Sequence, residues 1–189
     1  MFAFVIAPVE PLTNTTVGIE TKFVPVIFIV VAVAGAIVWD TSATVGLVSE
    51  IDEKDQTEEH KKMFELSDKL VKELKESDII IISAPIYNYG PPATLKAWSD
   101  LAARIGETFR FKPNGRREGL LKNKHAYLVI TSGGTKLNSS EDFLTPWLKF
   151  ILNFFGIEKV DIISADQMAL DYEKSIKEAE AQIENLFKD

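Results

Sequence analysis

A chain of 189 residues, 46% hydrophobic and 26% charged, can bury a core of its own and fits one globular domain over residues 1–189. A formal net charge of −7 excludes a general nucleic-acid binder, because Arg116-Arg117 and scattered lysines make no basic surface. No cysteine is present, so there is no disulfide, thiolate metal site or thiol nucleophile, which fits a cytoplasmic protein. His60, in a charged helical stretch, and His125, just before a strand, read as surface residues, and no metal site is expected.

Phe2 to Ile6 reads as a first strand, followed by a Pro- and Thr-rich turn over residues 8–16. Only Glu10, Glu20, Lys22 and Asp40 carry charge in residues 1–49, and Phe23 to Val38 carries none. That run is shorter than the roughly 20 apolar residues a bilayer crossing needs. Pro25 and Gly35 interrupt it, and no basic cluster flanks it. A secretory signal would need a basic start, and Lys22 is the only nearby base. A buried strand ending near Val38, with an adjoining segment, suits the Val and Ile content best, and no membrane partner is expected.

Beyond a polar acidic loop at 49–57, Glu58 to Glu76 has helical spacing, with Met63, Leu66, Leu70, Val71 and Leu74 on one face. Ile79 to Ser83 reads as a fully buried strand. Ala93 to Ile105 is the next helix, with Leu95, Trp98, Leu101 and Ala102 inward. Residues 106–123 form a long connection with a turn signal at Pro113-Asn114-Gly115, and loops of this length are often functional. His125 to Ile130 is the fourth strand, and Phe143 to Phe155 a helix that tolerates Pro146 in its first turn. Val160 to Ser164 is the fifth strand, and Tyr172 to Phe187 a closing helix rich in opposite charges at i,i+4. Strands alternating with helices predict an α/β three-layer sandwich with a parallel sheet. Five strands with loops lengthened at their carboxyl ends point to the flavodoxin-like order 2-1-3-4-5.

Ligands bind such sheets outside the carboxyl ends of the strands. Ala84-Pro85-Ile86-Tyr87-Asn88-Tyr89-Gly90-Pro91-Pro92 follows the third strand, and Thr131-Ser132-Gly133-Gly134 the fourth. Two aromatic rings and an amide offer a flat shelf, while paired glycines let backbone amides approach a ligand closely. Taken singly, each is equally readable as a rigid or tight turn. The expected order makes them neighbours in one crevice.

Residues 58–187 resemble the FMN-dependent NADH azoreductases, also described as NADH:quinone oxidoreductases. The resemblance is carried by LSDKLVKEL, SAPIYNYGPPATLKAWSDLAARIGETFRF, NG and EGLL, VITSGG and TPWLKFILNFFGI, in the family's order and spacing. It implies non-covalent FMN, NADH or NADPH as electron donor, a quinone or azo acceptor, and a homodimer with its active sites at the interface. Ile86, Tyr87, Asn88 and Tyr89 match the positions against the flavin ring, and Ser132, Gly133, Gly134 and Thr135 the second flavin loop. Phe111 matches a substrate-face position that is often Tyr, and Phe154 or Phe155 would close the pocket across the dimer interface. No catalytic side chain is implied, since the flavin carries the redox chemistry. The first loop departs from the family. Asn14, Thr15 and Thr16 align with its phosphate-contacting positions, but Pro8 replaces a serine and cannot donate from its nitrogen. A colourless binding or regulatory protein of the same fold, with a degenerate phosphate loop and no catalysis, is the alternative.

Overall fold

The computed structural model describes residues 26–30 and 57–188. Four parallel strands form its main sheet: β1 (Val26–Val30), β2 (Ile79–Pro85), β5 (His125–Thr131) and β6 (Lys159–Ala165), in the order β1-β2-β5-β6. The helices are α1 (Glu58–Glu76), α2 (Ala93–Ala102), α3 (Leu144–Phe155) and α4 (Tyr172–Leu186). A parallel sheet with crossover helices is what the alternating pattern dictates. Val26 pairs with Ile79 and Val30 with Ser83, so β1 fills the place beside β2 that the expected order gives to the first strand. The apolar run therefore supplies that neighbour, where Phe2–Ile6 was expected. Its β-branched residues suit a strand. Phe2–Ile6, and a strand end near Val38, lie outside the described residues. Among the described residues, no helix is long and apolar enough to cross a membrane.

The core lies on one face of the sheet. Ile80, Ile82 and Ala84 of β2 and Ala126, Leu128 and Ile130 of β5 point into it, alternating as period-2 strands require. Leu70 and Leu74 of α1, Leu95, Trp98 and Leu101 of α2, and Leu148, Leu152 and Phe155 of α3 cover them. The four inward residues expected of α2 are all buried, but the helix ends at Ala102, and Ile105 is exposed. On α1 the buried face runs through Phe64, Ser67, Leu70, Val71 and Leu74. Leu66 was expected there and faces solvent, while Ser67 turns inward because its hydroxyl donates to the Leu101 carbonyl at 2.7 Å. The side chain of Met63 lies outside the described residues. Beyond α4, Phe187 stacks on Tyr127 from the opposite face of the sheet, with ring centroids 5.5 Å apart.

The connection at 106–123 is not a plain loop. It folds into an antiparallel hairpin of β3 (Phe109–Phe111) and β4 (Arg117–Gly119), with the expected turn at Gly115, φ 74°. Glu118 braces it: its carboxylate accepts from Arg110 Nε at 2.7 Å and lies 3.3 Å from Lys112 Nζ. Hydrogen bonds from Arg110, then Lys112, hold the Glu118 carboxyl below the ordinary carboxylate range. A carboxylate that binds its proton less tightly when folded adds stability that is complete above its unfolded value. That stability is lost as pH falls through the folded one. These pairs face solvent, so the increment is small and screened by salt. Thermal melts from neutral to acid pH should show a loss in the native chain that Glu118→Gln lacks and that high salt abolishes.

Candidate functional site

The carboxyl ends of β2 and β5 are level, with Pro85 opposite Thr131. The two loops that leave them are tied directly, since the Ile86 N–H donates to the Thr131 carbonyl at 2.8 Å. Parallel pairing thus places Ile86–Tyr89 and Ser132–Thr135 side by side. The first loop closes as a tight turn in which Tyr87 and Gly90 each donate a backbone N–H to the other's carbonyl at 3.0 Å. Asn88 and Tyr89 at its centre have φ of 47° and 70°. Two positive φ values are the signature of a type I′ turn, whose second central residue is ordinarily glycine. A tyrosine there stores backbone strain of about 1 kcal/mol or more. Tyr87 and Tyr89 are 41% and 52% exposed, so neither ring repays that strain by burial in the chain's own core. Ile86 is buried beneath them. The Tyr89 carbonyl accepts from Phe143 N–H at 2.9 Å, which fixes the loop to the start of α3. Asp142 caps that helix, accepting from Thr145 N–H at 2.9 Å.

The second loop is braced from behind. Ser132 is buried, its hydroxyl donating to the Thr135 carbonyl and accepting from Gln167 N–H at 3.1 Å. The hydroxyl expected to face a ligand is therefore spent on holding the loop's shape, and Thr135 is buried with it. Gly133 and Gly134 are exposed, and among the described residues their N–H groups have no acceptor. The same holds for Asn88 and Tyr89. A Cβ built on Gly90, Gly133 or Gly134 would meet nothing within 4 Å, and none of the three has a positive φ. The fold does not need glycine at these positions. Bare backbone there, with unspent donors beside two exposed rings, fits a planar ligand with acceptor atoms on its edge.

The remaining expected residues form a separate cluster. Phe154 packs on Phe109 with centroids 4.4 Å apart, and Phe109 on Phe111 at 5.7 Å. Phe155 is wholly buried edge-on to Trp98 at 6.3 Å, so it belongs to the core and only Phe154 is available to a pocket. Phe154 lies eleven residues along α3 from Phe143, roughly 16 Å at 1.5 Å per residue. Within one chain, Phe111 and Phe154 thus stand apart from the Tyr87 and Ser132 loops. Pro8, Asn14, Thr15 and Thr16 lie outside the described residues. Two features were missed in the sequence: the exposed ring of Phe150, and Arg117, whose guanidinium lies 5.3 Å from the Phe154 ring centre. The spacing Phe143, Trp147, Phe150, Phe154 was the available signal, an aromatic stripe at helical period along α3.

A family model described as a flavodoxin-like fold matches residues 34–187. A curated FMN-dependent NADH:quinone oxidoreductase from Pelagibacter ubique (strain HTCC1062) is 93% identical over 136 residues, 72% of this chain and 70% of that one. The chain belongs to this flavodoxin-like NADH:quinone oxidoreductase family. Another member, from Erythrobacter litoralis (strain HTCC2594), is 40% identical over 134 residues, 70% of this chain and 68% of its own. Among solved structures, an FMN-dependent NADH-azoreductase from Bacillus anthracis str. Ames Ancestor, in complex with FMN, superposes with a TM-score of 0.66 at 25% identity. That match covers 78% of this chain and 71% of the azoreductase.

Tyr89→Gly relieves the positive φ and is expected to raise stability by about 1 kcal/mol in urea unfolding, while weakening ligand binding for want of the ring. Lower stability would show that the ring serves the fold instead.

Proposed function

We propose that this chain is an FMN-dependent NADH:quinone oxidoreductase that also reduces azo compounds. The observation that carries the reading is the shelf itself: Gly133 and Gly134 with unspent N–H groups, level with two exposed tyrosines. Bound there, FMN would supply the redox chemistry, a hydride equivalent accepted from NADH or NADPH and two electrons and a proton returned to the acceptor. With a second proton from solvent, a quinone leaves as its hydroquinone. The chain's own part is to bind and orient. Tyr87 and Tyr89 would flank the ring, Ile86 would support it, and Asn88 with the amides of Gly133 and Gly134 would meet its polar edge. Ser132 and Thr135 hold that loop rigid. Asn14, Thr15 and Thr16, beside Pro8, would hold the phosphate in place of the family's serines.

The 1–189 chain is one domain, its sheet completed by a further strand to the order 2-1-3-4-5, and it works in the cytoplasm. It functions as a homodimer. The rise of roughly 16 Å along α3 from Phe143, which donates to the Tyr89 carbonyl, to Phe154 supports this arrangement, because it sets Phe111 and Phe154 away from their own chain's Tyr89 loop. The exposed Phe143 and Phe150 on α3 give such a dimer apolar surface to bury. The test is NADH oxidation by the purified protein with a naphthoquinone, with FMN or riboflavin added. Quinone-dependent turnover with FMN and little with riboflavin is expected. No turnover with FMN would refute the reading, and equal turnover would remove Asn14–Thr16 from the phosphate site.

A further inference from the structure

Between the hairpin and α3 lies a cleft of about 460 Å³ lined by Gly115, Arg116, Arg117, Phe150, Asn153 and Phe154. Its size falls in the range of small-molecule sites. We infer that this cleft is an anion subsite that selects planar acceptors carrying a sulfonate or carboxylate. The inference rests on the reading above that Phe154 borders the acceptor.

In a chain of net charge −7, cations normally find carboxylates. Arg110 and Lys112, on the same hairpin, share Glu118. Among the described residues, neither Arg116 nor Arg117 has an ion-pair partner. Arg117 lies 5.3 Å from the Phe154 ring centre and 5.7 Å from that of Phe150, so its stem is anchored while its donors stay unspent. A planar guanidinium fork matches the oxygens of carboxylate, sulfonate or phosphate. Asn153 adds an amide beside it. Two aromatic walls with two unpaired guanidinium groups suit a flat ring bearing an anionic substituent. A neutral quinone would use only the walls.

The test has two arms. In the first, an anthraquinone sulfonate is titrated into the full-length protein by calorimetry, without NADH. Arg116→Gln/Arg117→Met should weaken its binding about tenfold, and added salt should weaken it in the native chain. Both arginines are exposed, and a circular-dichroism melt confirms that the variant is folded. In the second arm, kcat/KM is compared for a naphthoquinone sulfonate and its uncharged parent. The ratio should fall about tenfold in the variant, mainly through KM, with partial recovery in Arg116→Lys/Arg117→Lys. Equal losses for both quinones, or unchanged sulfonate binding, would overturn the subsite. A rise in KM for NADH alone would assign the arginines to the dinucleotide's phosphates and overturn it likewise. If the native chain reduces no quinone at all, the functional reading fails, while the titration still decides the cleft.

Discussion

Replacing Gly134 with valine is expected to weaken FMN binding about a hundredfold while leaving the fold at least as stable as before. A Cβ there would meet nothing within 4 Å, and no positive φ resists it. Removing a glycine also restricts the unfolded chain, which by itself adds about 0.4–1 kcal/mol. The loss falls on the ligand, because the side chain occupies the space through which the amides of Gly133 and Gly134 would reach the flavin's edge. Urea unfolding of the apoprotein and a fluorescence titration with FMN separate the two effects. A destabilised apoprotein would mean that the fold needs this glycine. Unchanged FMN affinity would mean that the loop does not face the cofactor.

Gly119→Ala is expected to act in the opposite sense, costing the fold about 3 kcal/mol. The new Cβ would lie 2.2 Å from the Gly156 nitrogen and 2.4 Å from both the Gly156 Cα and the Phe155 carbonyl carbon. All three are backbone atoms, and none can rotate away. Gly156 is itself fixed as the left-handed cap of α3, with φ 105° and its N–H donating to Asn153 at 2.9 Å. The hairpin would have to lift off, straining the bond from Leu121 N–H to the Phe155 carbonyl at 2.8 Å. Since the hairpin carries Phe111, Arg116 and Arg117, quinone turnover should fall with stability. A cost below about 1 kcal/mol in urea unfolding would show that the contact between these glycines yields freely.

Where the sequence was legible, a single physical period explains it. Alternation within buried strands places Ile80, Ile82 and Ala84 inward and brings β2 to its end just before the Tyr87 turn. The turn's position at a strand end, and so its candidacy as a site, follows from local pattern alone. Where the sequence misled, a long-range contact decides. Phe154 and Phe155 are adjacent and chemically identical, yet Phe155 is wholly buried against Trp98 and Phe154 only half-buried beside Phe109. Ser132 reads as a ligand donor until Gln167, 35 positions away, claims its hydroxyl. Strands as short as Phe109–Phe111 and Arg117–Gly119 carry no readable period, and the hairpin they form depends on the approach of Gly119 to Gly156. A strand within Phe23–Val38 was readable from its β-branched residues, with its end expected near Val38, but the place of Val26–Val30 beside β2 is a property of the sheet.

As proposed, the Tyr87 and Ser132 loops form a flavin shelf. It is tested most directly by titrating the purified, flavin-free protein with FMN and following the visible spectrum and the quenching of flavin fluorescence. Saturable binding of one FMN per chain is expected, with a perturbed flavin spectrum that Tyr89→Gly and Gly134→Val both diminish. A folded protein that leaves the FMN spectrum and emission unchanged at saturating concentrations would contradict it.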